Sequence, residues 1–73
     1  MHHVAKAIIV RNDEAIAGLK GSIDFYMIKG WFIDVPGGFA SMQAATNREI
    51  ERLNTQIVAL KNSSAKAATR LAQ

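Results

Sequence analysis

Residues 23–35 read IDFYMIKGWFIDV: two runs of apolar, strand-prone side chains on either side of Lys29-Gly30. A two-residue loop with glycine in second place fits a β-hairpin turn. In that register Ile28 faces Trp31, Tyr26 faces Ile33 and Asp24 faces Val35 on one side of the ribbon. Met27 then faces Phe32, and Phe25 faces Asp34, on the other. Both faces are apolar near the turn, whereas a half-buried hairpin alternates apolar and polar residues. The reading therefore requires cover on both faces.

Outward from this stretch the chain divides by composition. Residues 4–35 are rich in Ile, Val, Phe, Tyr and Trp, with glycines at 18, 21 and 30. Residues 41–73 hold no Gly, Pro or aromatic residue and are dominated by Ala, Arg, Lys, Glu, Gln and Leu. The first composition favours strand and the second helix. Residues 4–10 read as a strand, 11–14 as a polar turn, and 15–19 as either a short helix or a second strand. Val35-Pro36-Gly37-Gly38 suits a type II turn, with proline second and glycine third. The expected fold is α+β: a small antiparallel sheet of two to four strands, including the hairpin at 23–35, followed by one long amphipathic C-terminal helix. Residues 1–3 fray, 4–35 form the sheet half, 36–40 the turn and 41–73 the helix, all in one domain of 73 residues.

Within the helical half, Ser41 is a candidate cap and Thr46-x-x-Glu49 has the capping-box pattern. Ile50, Leu53, Ile57 and Leu60 are spaced three, four and three, and the register continues through Ser64, Ala67 and Leu71. This stripe either packs on the sheet or pairs with a copy of itself in coiled-coil fashion.

A chain of this length buries only about 60% of its unfolded surface. Such domains commonly need a disulfide, a metal or a second subunit. There is no cysteine, which excludes disulfides and thiolate metal sites and leaves association as the staple. No stretch approaches the roughly 20 apolar residues of a spanning helix, and no leader pattern is visible, so the expected location is cytoplasmic.

The inventory for catalysis is thin. His2 and His3, the only histidines, sit at the terminus, where no rigid frame would hold them as metal ligands or as a base for Ser22, Ser41, Ser63 or Ser64. Asp24 and Asp34 fall on opposite hairpin faces and cannot act as a carboxylate pair. Gly37-Gly38 and Gly18-x-x-Gly21 lack the following Lys-Ser/Thr of a phosphate loop. The chain is thus expected to be non-enzymatic, with no cofactor and no small-molecule substrate.

Three functions remain. The first is protein–protein interaction, as an inhibitor, adaptor or regulator and as a homodimer, with Tyr26, Trp31, Phe32 and Ile33 as binding anchors and Ile50, Leu53, Ile57 and Leu60 as the self-association stripe. Small inhibitors and adaptors of phages and mobile elements share this build. The second is nucleic-acid binding. The net charge of +3 arises wholly in residues 41–73, where Arg48, Arg52, Lys61, Lys66 and Arg70 outnumber Glu49 and Glu51; such a helix can track phosphates. The third is a structural subunit of a larger assembly.

Overall fold

The computed structural model describes residues 2–29 and 33–72 and consists of two helices, α1 (His2–Lys29) and α2 (Phe39–Ala72). They run antiparallel as one elongated hairpin, 53 × 16 × 14 Å in extent. No strand occurs among the described residues. The α+β expectation is therefore corrected. The strand at 4–10, the polar turn at 11–14 and the first arm of the hairpin at 23–35 all lie within α1; Gly30, Trp31 and Phe32 lie outside the described residues, and residues 33–35 carry no regular structure.

The reason is a seven-residue pattern that runs through both halves. In α1, Ala5, Ile9, Asn12, Ile16, Leu19, Ile23 and Tyr26 alternate spacings of four and three, and every one is buried or half-buried. In α2, Thr46, Ile50, Leu53, Ile57, Leu60, Ser64, Ala67 and Leu71 do the same. Two such stripes facing one another form an antiparallel coiled-coil seam. The helical cost of β-branched and aromatic residues is only a few tenths of a kcal/mol each, whereas burying one apolar seam side chain contributes about 1.5–3 kcal/mol. Packing outweighs propensity here, and the isoleucines that suggested strands serve a helix.

Asn12 fixes the register. Its Nδ2 donates to Ser64 Oγ at 3.1 Å and to the Leu60 carbonyl at 3.4 Å. Carried along the seam at the same register, Ile16 lies level with Leu60, Leu19 with Ile57, Ile23 with Leu53, and Tyr26 with Ile50. These eight residues make up the hydrophobic cluster. The stripe at Ile50, Leu53, Ile57 and Leu60 is thereby covered by α1 of the same chain, not by a sheet.

Between the helices, Gly37 takes a φ of 109° and Gly38 one of 84°, a region that L side chains seldom enter. The Gly38 carbonyl accepts from the Met42 N–H at 3.1 Å, so Gly38 stands in the capping position at which α2 begins. Ser41 and Thr46 are inside the helix and do not cap it. Thr46, 2% exposed, has another task. Its hydroxyl donates to the Met42 carbonyl at 2.9 Å and accepts the Ile33 N–H at 2.7 Å, which ties the connecting segment to α2.

Candidate interaction surface

Two helices side by side can hide one stripe each and no more. Accordingly no large side chain among the described residues falls below 2% exposure, and Val4, Val10, Phe25, Met27, Ile28, Phe39 and Val58 are exposed. The seven-residue pattern gives the hairpin two unlike flanks. On one, α1 presents Lys6, Asp13 and Lys20 and α2 presents Asn54 and Lys61, with Val10, Met27 and Val58 also exposed on that side. The other carries Val4, Arg11, Ala15, Gly18, Ser22 and Phe25 from α1 beside Gln56, Ala59, Ser63, Lys66 and Arg70 from α2.

A groove of ≈ 510 Å³ runs along the middle of this second flank. Ala15, Gly18 and Ser22 form one wall, Gln56 and Ala59 the other, and Leu19 and Leu60 of the seam the floor. The groove exists because the wall residues are small: a Cβ added at Gly18 would meet nothing within 4 Å. Toward the open end of the hairpin a second, more polar recess of ≈ 390 Å³ lies among Ile8, Ser63, Lys66, Ala67 and Arg70. At the opposite end stands Phe25, its ring edge-on to Tyr26 with centroids 6.1 Å apart.

The residues singled out in the sequence are dispersed by this fold. Tyr26 is half-buried and packs on the core cluster, and Ile33 is half-buried in the connecting segment. Trp31 and Phe32 lie outside the described residues. Among the basic residues, Arg52, Lys66 and Arg70 fall on the grooved flank, Lys61 on the polar flank, and Arg48 at a seven-residue position pointing away from α1. Arg52 is already engaged. Its Nε donates to Glu49 Oε2 at 2.9 Å and its Nη2 to Glu49 Oε1, a bidentate ion pair. The hydrogen bond from Arg52 holds the Glu49 carboxyl below the usual carboxylate range, and the same bond raises the guanidinium.

His3 is exposed, as are Asp24 and Asp34, the last two on α1 and the connecting segment respectively. No group of three or more metal-binding side chains is assembled among the described residues. No described helix is long and apolar enough to cross a membrane. The grooved flank escaped the sequence reading: Ala15, Gly18 and Ser22 recur at helical spacing beside the seam, but the facing wall, Gln56 and Ala59, comes from the other helix. Comparison with protein-family models, curated proteins and solved structures returns no match to this chain.

Proposed function

We propose that the chain is a small non-enzymatic interaction module, a helical hairpin that acts as an inhibitor, adaptor or regulator by seating its grooved flank on another protein helix. The observation that carries this reading is the contrast between the flanks. One is edged by Lys6, Asp13, Lys20, Asn54 and Lys61; the other holds a shallow apolar trough bounded by small residues. Helices pack closest where small side chains let the backbones approach, and ridges on one enter grooves on the other.

The nucleic-acid reading draws less support. Phosphate tracking needs cations aligned along one path. Here Arg48, Lys61 and the group Arg52, Lys66 and Arg70 are divided among different sides of α2, and Arg52 is bound to Glu49.

The test is site-specific photo-crosslinking in cells that make the chain. A benzophenone side chain replaces Gln56 on the trough wall or, as control, Asn54 on the polar flank. Adducts of higher mass are expected from position 56 and not from position 54. Equal labelling at both positions, or none at 56, would overturn the proposal.

A further inference from the structure

Resting on that reading, we infer that the helix seated on the grooved flank belongs to a second copy of this chain, packed antiparallel to the first as a four-helix bundle. Two independent quantities lead there.

The first is area. The chain exposes 5318 Å² for a mass of 8.0 kDa. A compact monomer of that mass exposes about 4,450 Å² by the scaling of folded monomers. The excess of about 870 Å² is close to the ~800 Å² that each partner gives up in a stable interface. The excess reflects the elongated 53 × 16 × 14 Å shape, and face-to-face doubling into a bundle is the way a two-layer helical molecule removes it.

The second is charge. On the grooved flank the cations Arg11, Lys66 and Arg70 gather at the open end, where the flank carries no carboxylate to offset them. The turn end carries Phe25 and the Glu49–Arg52 pair. A two-fold axis along the hairpin would stack the two basic ends on each other. An axis across the trough instead lays the basic end of one copy over the turn end of the other. Arg11 then lies over the turn end of the second copy, away from that copy's own cluster of cations, and Glu49 comes level with Arg70 of the second copy. Gly18 and Ala59, at the middle of the trough, lie beside the axis and face their own counterparts.

The variants are chosen so that folding and pairing separate. Gly18→Arg and Gly21→Arg both place the new side chain where an added Cβ meets nothing within 4 Å. Gly18 faces the trough, and Gly21, also exposed, lies off both flanks. Light scattering after size exclusion should give the wild type and Gly21→Arg twice the chain mass, and Gly18→Arg a single chain mass with its helical circular dichroism retained. A wild type of single-chain mass at two concentrations a decade apart overturns the inference, and so does a Gly18→Arg protein that remains double. The chain lacks cysteine, so orientation can be read by oxidation. Ala59→Cys should form a disulfide-linked dimer and Lys66→Cys should not; the reverse pattern overturns the antiparallel arrangement. If the wild type is monomeric while position 56 still crosslinks to a different protein, self-pairing fails and the interaction reading stands. If position 56 crosslinks to nothing, both fail.

Discussion

Asn12 and Ser64 meet across the seam, with Asn12 Nδ2 donating to Ser64 Oγ at 3.1 Å and Asn12 only 4% exposed. A buried polar residue at a seam position costs stability and fixes register. Asn12→Leu should therefore raise the urea midpoint, by about 1–2 kcal/mol in stability from the added apolar burial, while the amide spectrum shows more than one seam alignment. Asn12→Ala removes the bonds without filling the space and should lower stability by about 1–2 kcal/mol. A lower midpoint for Asn12→Leu would show that the polar pair stabilises more than apolar packing does.

Glycines in this chain have opposite duties. Gly21 is exposed in mid-helix, so Gly21→Ala should raise stability by about 0.5–1 kcal/mol and move the thermal midpoint up by a few degrees. Gly37 has φ 109°, and a Cβ there would run into the Ser41 side chain. Gly37→Ala should lower the midpoint, with a loss of at least roughly 1–2 kcal/mol from the backbone alone. Thermal denaturation of the two variants side by side gives opposite signs.

Thr46 is the anchor of the connecting segment. Thr46→Val keeps the shape but leaves the Ile33 N–H without its acceptor, at a cost of about 1 kcal/mol. Hydrogen exchange at the Ile33 amide should speed up by more than the fall in global stability. Exchange that rises only in step with the global change would remove Thr46 from this role.

The Glu49–Arg52 pair makes stability depend on acid. Because the folded carboxyl titrates below its unfolded value, the contribution is complete above the ordinary glutamate range near ~4.3. It is lost as pH falls through the lowered value. An NMR titration of Glu49 Cδ should show a midpoint below that range, and Arg52→Gln should move it up. Both side chains are solvent-accessible, so the change in overall stability should be small and salt-sensitive.

Much of α2 was legible in the sequence. The spacing of Ile50, Leu53, Ile57 and Leu60 reports a helix directly, and between Ile50 and Leu60 the only large apolar residue off the stripe is Val58. In α1 the same spacing was masked. Val4, Val10, Phe25, Met27 and Ile28 lie off the seam and are exposed, so the helix is apolar on most sides and its stripe does not stand out. Asn12 interrupts the stripe with a polar residue, and with Arg11, Asp13 and Glu14 it has the composition of a turn. Gly18 and Gly21, which propensity reads as breaks, are tolerated on exposed faces. The trough was not legible until the partner helix was known, since its two walls come from segments some forty residues apart in the chain.

The antiparallel seam also orders events in time. Residues level with one another are close in sequence beside the Pro36–Gly38 turn and progressively more distant toward Ala5 and Leu71, and the entropy lost on closing a loop grows with its length. The hairpin therefore zips from the turn outward and unzips from the open end, where alanine dominates the contacts. Substitutions near Tyr26 and Ile50 govern how fast the chain closes, whereas those near Ala5 and Ala67, formed last, govern how fast it opens.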